Sequence, residues 1–333
     1  MNSPNTHPGY RLILPYLRQI ENLILDPDIS EIMVNSPTDI FIEKQGVMEK
    51  VPGVTIPIDQ LRVAVQNIAR SLGDDISEEK PILDSRLPDG SRIAAILPPC
   101  SIHGITLTIR KFNTKNFTIA DLIHIGTLTE GMVAYLEAAI AGRKNILISG
   151  GTGTGKTTLL NILADFIPEV DRLLVIEDTA EIHIRKPNLV RFEARRQQGP
   201  RIPAVTIRDL LKASLRHRPE RIILGEIRGE EAFDLLQALN TGHSGSLSTI
   251  HANSAAQALS RLASCVLQSG IELPYKAIKA NIADSIHLLV HIERRHTKRF
   301  VSEVLELASY SPGDDHYTFN PIYQHLETNE RNI

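Results

Sequence analysis

Cysteine is scarce: Cys100 and Cys265 are the only two in 333 residues, and they stand far apart. That excludes a disulfide framework and a four-cysteine zinc site, and leaves two reduced structural thiols. Long apolar runs are missing as well, since no stretch approaches the roughly 18–20 residues that span a bilayer. The opening "MNSPNTHPGYRLILPYL" has an apolar core too short for a signal peptide, with Pro15 inside it. Nor is either sign of charge in excess: 36 Lys+Arg meet 39 Asp+Glu, for a formal net charge of −3. A nucleic-acid binder usually carries a basic surplus, so stable nucleic-acid binding is not expected. These absences point to a cytoplasmic chain whose membrane contact is peripheral.

What is present suits two globular domains. Hydrophobic residues make up 42% and charged residues 23%, ordinary for a folded protein of this length. Residues 10–24 have helical spacing interrupted by Pro15. "SEIMVN" (30–35) and "DIFIEKQG" (39–46) read as strands around a turn. Residues 57–71 predict an amphipathic helix with Leu61, Val65 and Ile68 on one face, closed by Gly73. "SRIAAILP" and "GITLTIRKF" add two more strands, giving an N-terminal α/β domain over 1–113. A polar stretch opens a linker over 114–126. From 127 to 310 the rhythm is βα alternation. A helix at 129–141 leads to "NILIS" (145–149), followed by "RLLVIED" (172–178), "RIILGE" (221–226), "GSLSTI" (245–250) and "SIHLLVHI" (285–292). Short apolar runs separated by helices predict a mostly parallel sheet covered on both faces. Residues 311–333 read as a polar, partly disordered tail.

The first of those strands runs into "GGTGTGKTT", which satisfies G-x-x-x-x-G-K-[ST] with Gly150, Gly155, Lys156 and Thr157. Glycine lets successive N–H groups turn inward around an anion, and the following helix adds its N-terminal dipole. The loop residues Gly150, Gly151, Thr152, Gly153, Thr154, Gly155, Lys156, Thr157 and Thr158 are therefore the expected triphosphate cradle. Lys156 reaches the β- and γ-phosphates and the Thr157 hydroxyl ligates Mg²⁺.

Hydrolysis also needs a group to orient water and groups to stabilise charge. Two strands end in acids: Glu177 with Asp178, and Glu226, preceded by Gly225 where many phosphate-loop enzymes carry aspartate. Ligands in open α/β sheets lie beyond the carboxyl ends of strands, so both acids should face the phosphates. Glu226 suits the metal and its water and Glu177 suits the attacking water, with the reverse assignment nearly as open. Asp178 and Glu181 fit caps of a following helix at least as well. His251 follows "LSTI" directly and could sense a γ-phosphate, although a structural role is the commoner fate of such a histidine. Candidate arginines are Arg92, Arg110, Arg216 and Arg228.

Taken together, "GGTGTGKTT", "IEDTAEI", "LLKASLRHRPERIILGEIRGEEA" and "TGHSGSLSTIHANSA" occur in an order that resembles the secretion ATPase superfamily, specifically the traffic ATPases of type IV secretion and conjugation with their tight-adherence pilus relatives. The resemblance covers about 25–310 and includes the glycine at 225. It implies a RecA-like P-loop ATPase domain preceded by a smaller α/β domain, binding ATP and Mg²⁺, with Thr157 and Glu226 at the metal. It also implies that Glu177, Glu226, Arg92, Arg110 and His251 serve catalysis, the two arginines coming from the N-terminal domain. A homohexameric ring docked on inner-membrane components at the cytoplasmic face is the implied assembly.

Other readings compete. Type II secretion and type IV pilus extension relatives often carry a four-cysteine zinc motif, which two cysteines exclude; pilus assembly otherwise remains an alternative to conjugation. A RecA-like nucleic-acid motor fits the charge balance poorly. An ABC-type subunit would need an LSGGQ-like signature between the glycine loop and Glu226, and none is there.

Overall fold

The computed structural model describes residues 10–112, 117–195, 197 and 202–325. The chain divides into two units, 1–115 and 116–333.

In the first unit, Pro15 has the predicted effect. The N-terminal segment forms 3-10 turns at Tyr10–Leu12 and Arg18–Ile20 and a short helix α1 (Glu21–Leu25) in place of one continuous helix. Strands β1 (Ile29–Ser36), β2 (Asp39–Lys44) and β3 (Val47–Lys50) form a meander. Helix α2 (Ile58–Ser71) then buries Leu61, Ala64, Val65, Ile68 and Ala69, one stripe at helical spacing. Gly73, at φ +74°, ends it while the Asp74 amide returns to the Ala69 carbonyl. Strands β4 (Ile82–Arg86), β5 (Arg92–Ile96) and β6 (Thr106–Arg110) complete an antiparallel sheet of order β3-β2-β1-β6-β5-β4. Its core joins Ile32, Val34, Ile40, Ile93 and Leu107 to the α2 stripe. The register sets Arg86 opposite Arg92, Arg92 opposite Arg110, and Arg110 opposite Glu31.

In the second unit, helices α3 (Ile119–His124) and α4 (Glu130–Ala141) precede β7 (Ile146–Gly150) and α5 (Lys156–Ala164). Residues 114–116 of the expected linker lie outside the described residues, and 119–124 of it are α3, opened by a Thr118–Asp121 capping box. Next come β8 (Leu173–Glu177), β9 (Leu189–Glu193), α6 (Ile207–Ser214), β10 (Arg221–Ile227), α7 (Glu231–Asn240) and β11 (Leu247–His251). Helices α8 (Ala255–Leu267) and α9 (Tyr275–Ser285) lead to β12 (Leu288–Arg295), β13 (Lys298–Ser311) and β14 (His316–Gln324). The sheet order is β14-β13-β12-β7-β11-β10-β8-β9, with β12 through β9 mutually parallel and the last two strands of the chain antiparallel. Neighbouring residues of one strand serve opposite layers. Ile146 and Ile148 pack with α4 and α5, whereas Leu147 packs with α7 and α8. Both faces are covered, which is why β7 and β8 are apolar without alternation.

Residues 316–324, expected within a polar tail, instead form the edge strand β14. The reason lies in its alternation: Tyr317 and Phe319 pack onto the core, and Lys279 of α9 lies over the Tyr310 and Tyr317 rings at 5.6 and 5.7 Å. Pro321 is tolerated because the strand is an edge. Residues 326–333 lie outside the described residues.

Opposite the strands' carboxyl ends, a polar clamp holds the sheet. The Asn145 side chain accepts from the Gly245 and Ser246 amides at 2.7 and 3.0 Å and donates to the Ser285 carbonyl at 2.6 Å. Arg221, 1% exposed, donates to Asp171 at 2.6 Å and to the Ile140 carbonyl at 2.8 Å. Removing one partner of such a pair strands a buried charge. Asp171→Ala should therefore cost about 3–5 kcal/mol in denaturant unfolding. A loss under about 1 kcal/mol would mean that the pair carries little of the sheet's stability.

Candidate functional site

Because β7, β8, β10 and β11 run parallel, their carboxyl ends share one edge of the sheet. Gly150, Glu177, Glu226 and His251 all lie there. The loop after β7 needs its glycines for two separate reasons. Gly153 and Gly155 adopt φ +69° and +99°, a region that side chains rarely enter. Gly150 has an extended strand backbone, but a Cβ there would collide with the Ile292 carbonyl oxygen and lie 2.7 Å from Thr154 Oγ1. Thr154 closes the turn by donating to the Gly151 carbonyl at 3.0 Å. Helix α5 begins at Lys156, so its unpaired first-turn amides face the loop's concavity.

Lys156, 7% exposed, donates to the Gly150 and Gly151 carbonyls at 3.1 and 2.8 Å. Its ammonium also lies 3.4 Å from His251 Nδ1, while His251 Nε2 lies 3.2 Å from Glu226 Oε1. Burial, followed by the Lys156 charge, lowers the His251 pKa, with Glu226 opposing. A neutral imidazole protonated on Nε2 fits both contacts: it donates to Glu226 and accepts from Lys156. Glu226 Oε2 accepts from Arg228 at 3.0 Å, and the same guanidinium reaches Asp178 at 3.2 Å. Burial works against the Glu226 charge, but the Arg228 hydrogen bond and the surrounding positive charge outweigh it and lower the pKa. Lys156, His251, Glu226, Arg228 and Asp178 are thus one connected chain of polar contacts.

Glu177 is engaged differently from the expectation that both acids face the phosphates. It is 2% exposed, and its Oε1 accepts from the Glu181 and Ile182 amides at 2.7 and 2.8 Å. Its Oε2 is buried and lies 3.6 Å from Arg191, beyond hydrogen-bond range. Burial pushes the Glu177 pKa up to about 7, with the two amides and Arg191 pulling the other way. The Glu177 stem also accounts for the missing aspartate at 225. A Cβ on Gly225 would lie 3.0 Å from Glu177 Cγ, so the glutamate fills the space that a side chain there would need. No helix follows β8 to be capped by Asp178 or Glu181; residues 178–188 are irregular.

Thr157 and Thr158 lie in the first turn of α5, half-buried. Arg92 and Arg110 are neighbours across β5 and β6, and Arg86 extends the same row, a member that "DSRLPDGSRI" could have signalled through its flanking turn. Arg216 is exposed and precedes β10, at the end opposite Glu226. Arg299 is a residue that motif reading missed. It donates to the Gly153 carbonyl at 3.1 Å from β13. Among the described residues, no group of three or more His, Cys, Asp or Glu could hold a metal by itself. No helix among the described residues is long and apolar enough to cross a membrane.

Known proteins match this chain over most of its length. The family model described as Type II/IV secretion system protein matches residues 16–312. The conjugal transfer protein TrbB of Rhizobium radiobacter is 36% identical over 296 residues, covering 88% of this chain and 87% of its own. The type IV secretion system protein PtlH homolog of Bordetella bronchiseptica is 34% identical over 304 residues, covering 84% and 90%. In fold, the chain is similar to the Legionella pneumophila ATPase DotB at a TM-score of 0.61 and 21% identity, over 91% of this chain and 83% of that one.

The Glu177 environment has a consequence for stability. The folded protein holds this proton more tightly than the unfolded chain, whose carboxyl has the ordinary value of 4.5. The contribution of this group to stability should therefore fall as pH rises from about 4.5 to about 7, by up to roughly 3 kcal/mol, a slope that His251, His287 and His291, their pKa values lowered, oppose in the same window. Glu177→Gln keeps an acceptor for both amides and should remove that slope in denaturation measured across the window. An unchanged slope would rule out Glu177 as its source.

Proposed function

The chain belongs to the Type II/IV secretion system protein family, and on that premise we propose that it is an ATP-hydrolysing motor of a bacterial type IV secretion or conjugation machine. The observation that carries this reading is the set of contacts joining Lys156, His251, Glu226 and Arg228 beside the glycine loop. The relatives named for conjugal transfer and type IV secretion, matched over most of their own length, support transport as the work done. In this reading the motor is a homohexamer with RecA-like ATPase domains, docked peripherally on inner-membrane components at the cytoplasmic face.

The residues divide the task by position. The amides of Gly151 to Lys156, with Thr157 and Thr158, hold the phosphates of ATP. Lys156 exchanges its two loop carbonyls for β- and γ-phosphate oxygens, a swap that needs no rebuilding of the loop. Thr157 and Glu226 would hold Mg²⁺, which neutralises developing charge on the phosphates. Glu226 also orients the attacking water, whose oxygen bonds to the γ-phosphorus as the bond to the ADP oxygen breaks. His251, neutral and linked to Glu226, is placed to donate toward the γ-phosphate and register its loss. Glu177 fixes the 178–182 turn that presents Asp178 to Arg228, and so supports Glu226 through the arginine. Arg92 and Arg110 supply cations from the first unit.

Lys156→Ala should lower ATP hydrolysis at least about 100-fold with the fold intact, read by phosphate release and circular dichroism. Wild-type turnover in that variant would end the proposal. Arg110→Ala should lower activity and, mixed with wild-type protein, depress the mixture below the sum of its parts. Simple additivity would argue against the shared-site arrangement.

A further inference from the structure

Three of the loop's glycines are packed by a single hairpin, formed by β12 and β13 far along the chain. Ile292 closes over Gly150, and its side chain lies 3.8 Å from the Cβ position of Gly155. Arg299 Cδ lies 3.5 Å from that same position, and Arg294 Nη1 lies 3.6 Å from the Cβ position of Gly153. The contact with directional consequences is the hydrogen bond from Arg299 Nε to the Gly153 carbonyl, at 3.1 Å. Arg299 is itself held at its backbone: buried Thr127 donates its hydroxyl to the Arg299 carbonyl at 2.9 Å and accepts from the Val301 amide at 2.9 Å.

A trans peptide is planar, with its C=O and N–H pointing in opposite directions. The carbonyl of Gly153 shares its plane with the amide of Thr154. Drawing that oxygen toward β13 therefore turns the Thr154 N–H the other way, into the loop's concavity. The guanidinium stays charged at any working pH, so the bond is charge-assisted and polarises the peptide it holds. Resting on the ATPase reading above, we propose that Arg299 is a positioning residue for nucleotide phosphate, acting through the Thr154 amide and without touching phosphate itself. Gly153, at φ +69°, gives this peptide the freedom to rotate, and Arg299 removes that freedom before the anion arrives. The phosphate loop thus has an outer strut that its own motif does not encode.

Arg299→Met keeps the aliphatic stem against Gly155 and removes the donors, whereas Arg299→Lys keeps a charged donor. Calorimetric titration of ATP and ADP in Mg²⁺, steady-state hydrolysis and the thermal midpoint without nucleotide should be measured on all three proteins. The Met variant should bind both nucleotides about 10-fold more weakly, raising KM with kcat within about 2-fold and the midpoint within about 2 °C of wild type. The Lys variant should recover most of the affinity. Wild-type affinity in the Met variant would overturn the inference while leaving the ATPase reading intact. So would equal losses in Met and Lys variants accompanied by a lowered midpoint, since those mark a packing role. Failure of the wild-type protein to bind ATP would remove the reading on which both rest.

Discussion

A buried ammonium must have oxygen around it, and at Lys156 the oxygens come from the turn that the lysine itself closes. That requirement organises the neighbourhood. The Gly150 and Gly151 carbonyls point at the ammonium, which draws those peptides into a curl. The curl brings backbone so near β12 that Gly150 has no room for a side chain. His251 approaches from the adjacent strand, where it stands in register with Gly150, and hands the interaction on to Glu226. Phosphate oxygens are chemically suited to replace the carbonyls. Under the proposed function an anion would be accommodated by exchanging partners on one flexible side chain, so that the desolvated charge is never left bare.

The same logic of occupied space explains the second acid. Glycine at 225 reads in the sequence as a missing carboxylate, yet the carboxylate has been relocated more than lost. Glu177 arrives from β8 and lies against Gly225, and Thr249 Oγ1 donates to the Gly225 carbonyl at 2.6 Å from the other side. Parallel pairing of β8, β10 and β11 is what makes this three-way contact possible. One consequence is a division between two glutamates of similar sequence setting. Glu226 keeps its charge because cations surround it, whereas Glu177 is drawn toward the neutral acid because burial dominates.

Much of this was legible because the informative residues punctuate apolar runs. The strands ending at Gly150, Glu177, Glu226 and His251 were each marked by four or five consecutive apolar or small residues, and the sheet buries them on both faces. The α2 stripe was equally plain from its spacing. What escaped were elements with weak local signals. Strand β3 is exposed throughout, so nothing selects an alternation in "VMEK". Strand β14 looked like tail because proline and polar residues interrupt it, and Tyr317, Phe319 and Tyr323 alone reveal its core-facing side. Glu177 and Glu226 could not be separated by spacing, since their difference arises from partners on other strands. Arg299 was beyond reach for the same reason: 146 positions separate it from Gly153, and only the β12–β13 hairpin brings them together.

Charge was the least reliable guide when summed and the most informative when located. A net charge of −3 argued against a polyanionic track, and it holds no information about one nucleotide. Positive charge is instead concentrated at two places. One is the Lys156–Arg228 edge of the second unit, where each cation already contacts oxygen. The other is the Arg86–Arg92–Arg110 row of the first unit, where like charges face one another across strands. The first is satisfied within its own unit and, under the proposed function, would exchange partners to bind phosphate. The second is a row of cross-strand neighbours, with Glu31 opposite one end and Arg86 donating to the Gly90 carbonyl at 3.2 Å. Located charge thus separates cations already engaged with loop and carboxylate oxygens from a row of arginines on a different sheet, a distinction that the summed value hides.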